Sequence, residues 1–139
     1  MNIEIKIDKA NQIRISTITG KFTFDDLVTK LKEIYSDQEL FNLPYSIWDI
    51  SKADLSSFNA EQIQKLSEFV AGSWGKDSNK KTAIVAGQDF IYGMARMYAQ
   101  TIEFKASSTT LVFHEYDEAL TWLTKGTLSS TTAGETIVG

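Results

Sequence analysis

The 139-residue chain has no cysteine, a single proline, a single histidine and two arginines. Without cysteine there is no disulfide framework, no thiolate nucleophile and no Cys-based zinc site, which fits a reducing compartment. The lone histidine, His114, leaves little for metal chemistry, because a catalytic zinc needs three converging protein ligands. The longest basic run is Lys80-Lys81, and the formal net charge is −4. Phosphate neutralisation needs clustered Lys and Arg, so nucleic acid is excluded as a main partner. No segment reaches the ~18 uninterrupted apolar residues of a membrane span. The opening "MNIEIKIDK" alternates charged and apolar residues and has no apolar signal core. G-x-x-x-x-G-K-[ST] and G-x-G-x-x-G are both missing, and serines and aspartates show no spacing that would select a catalytic triad. The expectation is a soluble, cytoplasmic, single-domain protein with no transmembrane segment, no metal, no cofactor and no enzymatic activity.

Hydrophobic residues make up 42% of the chain and charged ones 23%. That balance can support a packed core. Ile3, Ile5 and Ile7 alternate with charged residues, and Ile13 and Ile15 alternate with Arg14 and Ser16. Period-two patterns of this kind predict two strands, each with one wet face, joined by the short link "DKANQ". After Gly20 the period changes. Thr23 is placed to cap a helix over Phe24–Ser36, with Asp25 and Asp26 as helix-end charge in its first turn. Phe22 and Leu27 stand at the positions of a hydrophobic staple. "YSIWDI" reads as a buried strand and "SKADLSSFN" as a polar loop. A second helix runs from about Ala60 to Trp74.

From Lys80 onward, short apolar strands ("TAIVAG", "TLVFH") alternate with helices over about Phe90–Phe104 and from Asp117, with Asp89 as a cap for the former. Strands without a polar face, separated by helices, predict a parallel sheet with crossovers. The fold class is therefore α/β: a mixed, largely parallel sheet of about five strands with about four helices, most on one side. Residues 126–139 form a Ser/Thr/Gly-rich tail.

The third helix carries more apolar surface than one sheet contact uses. Ile91, Met94, Ala95, Tyr98 and Ile102 share one arc. Phe90, Met97 and Phe104, spaced by seven, form a second line beside it, and Tyr92 lies on the flank. Two readings stand: neighbouring helices cover the surplus, or it faces a subunit interface or a hydrophobic ligand. The candidate apolar residues are Phe90, Tyr92, Met94, Met97, Tyr98 and Phe104. Gly93 costs helix stability relative to alanine, and a close backbone approach or a hinge would account for it.

Polar candidates for a ligand are Asp49 at the end of the third strand, Arg96 on the third helix and His114 at the end of the fifth strand. The carboxyl edge of a parallel sheet is where α/β proteins tend to place ligands. Asp49 can equally turn the following loop, and His114 can be a plain strand-end residue. Ser56 and Ser57 precede the second helix and read either as caps or as phosphorylation candidates near a helix N-terminus.

"YGMARMY", "WDIS" and "VFHEYDEALTWL" together resemble the SpoIIAA-like family of small bacterial proteins, over roughly Ile13 to Leu123. This family is related in fold to anti-sigma-factor-antagonist (STAS) and CRAL-TRIO domains. The resemblance implies a β-α superhelix, a homodimer, and a carrier role for a non-polar small molecule or lipid with peripheral membrane contact. The antagonist proteins are phosphorylated on a serine before the second helix in an Asp-Ser-Ser-Gly-like turn. Here "ADLSSFN" keeps two serines, but the acid is displaced and the glycine is missing. Two functions are expected from these observations. The first is a binding module for a non-polar molecule. The second is a regulatory protein–protein domain switched at Ser56 or Ser57.

Overall fold

The computed structural model describes residues 2–74, 80–87, 89–105 and 109–125, without the side chains at 74, 89–90 and 103–105. Phe90, Phe104 and the Asp89 cap therefore fall outside the described side chains, as the 126–139 tail falls outside the described residues.

Five strands form one sheet in sequential order: β1 (Asn2–Asp8), β2 (Ile13–Lys21), β3 (Tyr45–Asp54), β4 (Lys81–Val85) and β5 (Thr109–Phe113). β1 pairs antiparallel with β2 at the edge, and the other three pairings are parallel. The β1–β2 turn is fastened by the Asp8 carboxylate, which accepts from the Asn11 backbone amide at 3.2 Å and the Asn11 side chain at 2.9 Å. Between the parallel strands run α1 (Phe24–Ser36), the one-turn α2 (Gln38–Phe41), α3 (Ala60–Trp74) and α4 (Asp89–Lys105). Crossovers that all advance the same way across a sheet put their helices on one face. α1, α3 and α4 lie there, while α5 (Tyr116–Lys125) follows the last strand and packs on the other face.

α1 starts where its cap predicts. Thr23 Oγ1 accepts from the Asp26 amide at 3.2 Å, and the Asp26 carboxylate accepts from the Thr23 amide at 3.3 Å, closing a capping box. Phe22 and Leu27 are both buried on either side of it. α3 is capped the same way by Asn59 and Gln62, at 2.9 and 3.2 Å, so the cap is not Ser56 or Ser57.

Three expectations need correction. β3 does not stop at Ile50 but runs to Asp54, because β2 is long enough to pair with it through Thr19↔Lys52, Gly20↔Ala53 and Lys21↔Asp54. Among the described residues there are five helices rather than about four: α2 buries no residue and so leaves no apolar stripe to read, and it is held by the Asp37 cap. Most consequential, the polar side of β2 is not wet. Arg14 is 5% exposed and Ser16 is 0% exposed, because the crossover helices cover that face of the sheet.

Candidate functional site

Between the crossover face of the sheet and its helices lies an apolar cavity of about 90 Å³. Its floor is Ile18, Trp48 and Ile84 from three adjacent strands; Leu31, Leu66 and Met94 from α1, α3 and α4 form the roof. Alternation along each strand determines the floor, since every second side chain points to this face. The staple residues Phe22 and Leu27 that seat α1 also close one part of the wall. Lining atoms that face such a space lack the dispersion contacts of a filled core.

A polar row adjoins the cavity at Thr82. Register places Arg14, Ser46, Thr82 and Thr110 opposite one another across β2 to β5, a row of four buried polar side chains. Ser46 and Thr82 satisfy each other at 3.1 Å. Arg14 Nε, Ser16 Oγ and Thr110 Oγ1 have no hydrogen-bond partner, a state that costs about 1–3 kcal/mol for a buried neutral group and more for a charged one. No carboxylate forms an ion pair with Arg14 among the described residues. Its guanidinium carbon sits 5.4 Å from the centre of the Trp48 ring, a partial compensation. Burial pushes the Arg14 guanidinium below its ordinary value, and the phenols of Tyr35 and Tyr98 pull the other way. Burial likewise drives the Tyr98 phenol well above its usual range; Tyr35 adds to that and Arg14 opposes it.

A second, small space of about 10 Å³ adjoins Arg14 and is bounded by Tyr35, Ser46 and Lys80. Lys80 Nζ donates to the carbonyls of Phe41 and of Leu43, the latter at 3.3 Å, and lies 4.7 Å from the centre of the Phe41 ring. Burial lowers the Lys80 ammonium from its ordinary value, and the charge of Arg14 lowers it further. Two cations thus flank one space.

The structure separates the candidate residues. Met94 and Tyr98 line the cavity, so the arc assigned to sheet packing is also the arc that meets the open space. Met97 is instead on the surface, 39% exposed, and does not line the cavity. Tyr92 stacks on His114 with ring centres 3.9 Å apart and planes at 11°, which ties α4 to the end of β5. Arg96 Nε is buried without a hydrogen-bond partner. Asp49 accepts from the Ser51 amide at 3.1 Å and the Ser51 hydroxyl at 2.6 Å, so it turns the local backbone. It sits on the α5 side, where its charge helps raise the Tyr116 phenol after the larger effect of burial. Ser57 donates to the Phe22 carbonyl at 2.8 Å; Ser56 is exposed, its amide bonded to Asp54 at 2.9 Å. An alanine Cβ at Gly93 would meet nothing within 4 Å, so a close backbone approach does not explain that glycine. Among the described residues no three His, Asp or Glu side chains gather as metal ligands, and no helix is long and apolar enough to cross a membrane.

Sequence reading missed Arg14, the residue with the most to explain. Its only signal was an arginine, one of two in the chain, inside a run of isoleucines.

The chain is similar to a solved structure from Shewanella loihica PV-4, an uncharacterized protein from the DUF3478 family with a SpoIIAA-like fold. The match covers 88% of this chain and 92% of that one, at 17% identity and a TM-score of 0.53. The fold is SpoIIAA-like. No family model and no curated protein matches the sequence. In this SpoIIAA-like frame the cavity lies between the sheet and the crossover helices, and Gly93–Tyr98 contributes three of its lining residues, Met94, Ala95 and Tyr98.

Proposed function

We propose that this chain is a non-enzymatic binding module that takes a non-polar small molecule or the apolar part of a lipid between its sheet and crossover helices. The observation that carries this reading is the apolar cavity walled by α1, α3, α4 and the sheet. Such sites are concave and mostly apolar, with a few polar groups that orient the ligand. At about 0.8 kcal/mol per buried methylene, affinity for a series of linear alcohols rises roughly fourfold per carbon until the cavity is filled.

Titration calorimetry with dodecanol, alongside native mass spectrometry of gently purified protein, tests it. One molecule is expected per chain. Ala95→Trp, which fills the cavity, should abolish uptake while unfolding stays cooperative. No uptake by the native chain, or equal uptake by Ala95→Trp, overturns the reading.

A second reading, a regulatory protein–protein domain phosphorylated at Ser56 or Ser57, is supported by the fold and by the exposure of Ser56. It meets an obstacle in Asp54, whose carboxylate already bonds Ser56 and would repel a phosphate there. Unmodified Ser56 and Ser57 in protein isolated from its own cells under several growth conditions would remove it. A homodimer formed through exposed Met97 is tested separately: Met97→Asp should shift the sedimentation coefficient to that of a monomer.

A further inference from the structure

We infer that the ligand is a linear acyl anion, with its carboxylate held beside Arg14 and Lys80 and the nearer part of its chain in the cavity. This rests on the binding-module reading and specifies the ligand class for the same site.

Arg14 is the deciding residue. A buried guanidinium with an orphaned Nε and no paired carboxylate among the described residues is a standing cost to the fold. A chain free of other demands would replace it with an apolar residue. What relieves the cost is an anion arriving from outside, and a guanidinium is suited to carboxylate oxygens. Lys80 stands across the same small space, and neither cation has an acid as partner among the described residues. The space of about 10 Å³ admits roughly one water-sized group. That suits a carboxylate oxygen.

The head space and the tail cavity share walls. Tyr35 lines both, and Ser46 of the head space is hydrogen-bonded to Thr82 of the cavity. Trp48, beneath Arg14, is part of the cavity floor, and Tyr98 on its roof is influenced by the charge of Arg14. From Arg14 to Ile18, which lines the cavity, the strand advances four residues, about 13 Å at ~3.3 Å each, a distance one acyl chain can bridge. The cavity lining is almost wholly apolar and the two cations lie beyond it, in the adjoining small space, so a ligand enters in one orientation.

The test compares dodecanoate with dodecanol, which share a tail and differ in charge. The native chain should bind dodecanoate at least about tenfold more tightly, the effect of a hydrogen bond to a buried charge. Arg14→Met should bring the two ligands to within about twofold by weakening dodecanoate alone, while the unfolding midpoint does not fall, since a buried charge has been removed. Lys80→Met, at a half-buried position, should weaken dodecanoate about threefold and leave dodecanol unchanged, and it carries the test if Arg14→Met does not fold. Equal affinity for both ligands in the native chain, or a preference untouched by both substitutions, overturns the inference while the binding-module reading stands. Failure of both ligands to bind overturns the two together.

Discussion

The two faces of the sheet are built from the same strands, yet they are filled differently. On the α5 face, Ile47, Ala83, Phe113 and Ala119 are almost wholly buried, and Phe113 packs against Trp122 with ring centres 5.8 Å apart. On the crossover face, alternate residues of those strands supply Arg14, Ser16, Ser46, Thr82 and Thr110, and three helices leave a cavity between them. Every orphaned buried polar atom among the described side chains comes from the crossover side: three from the strands and Arg96 Nε from α4. Selection for stability alone would have filled that face as it filled the other. A layer that keeps both empty volume and an unpaired cation is the layer where binding energy can be recovered from a ligand.

The comparison can be broken by substitution. Ile47→Ala, in the packed layer at the centre of the sheet, should cost about 2–5 kcal/mol in urea denaturation, as truncation in a tight core does. A sharper contrast comes from enlarging one alanine on each side. Ala119→Leu has no room and should destabilise by about 1–3 kcal/mol. Ala95→Leu projects into the cavity and should stabilise by about 0.5–2 kcal/mol while weakening dodecanol uptake. If the two changes had the same sign in thermal melts, the distinction between the layers would be lost.

Gly93→Ala, on the outward side of α4 where a methyl meets nothing, should stabilise by about 0.5–1 kcal/mol without changing ligand affinity. A loss of affinity with gained stability would instead identify Gly93 as a hinge. The smallest effect belongs to neither face. The Asp8 carboxylate is held below its ordinary value by the Asn11 side chain and then the Asn11 backbone, and Asp54 by the side chain and then the backbone of Ser56. A depressed carboxylate stabilises the fold above its unfolded value and loses that contribution as pH falls through its folded one. Urea midpoints should therefore decline slightly between about pH 5 and pH 2, and less so in Asp8→Asn/Asp54→Asn.

Much of the architecture is legible in the sequence. Thr23, Asp26, Phe22 and Leu27 announce α1, and the apolar runs at Lys81–Val85 and Thr109–Phe113 announce parallel strands. The site was legible only by halves. The helix over Phe90–Phe104 shows excess apolar surface in its sequence, and Met94 and Tyr98 do meet the cavity, but Met97 does not. Arg14 looked like the wet side of a strand.

Caps, staples and strand periods act within a few residues, so their energetics can be read along the chain. Whether Arg14 lies in water or under a roof depends on which face three crossovers cover, and that is settled by partners tens of residues away. The neighbours of that arginine in the sequence are isoleucines, while in space they are Ser46, Trp48 and Lys80. Its burial, its lack of an acid partner among the described residues and the cavity beside it arise from packing, because only packing removes water from a charge.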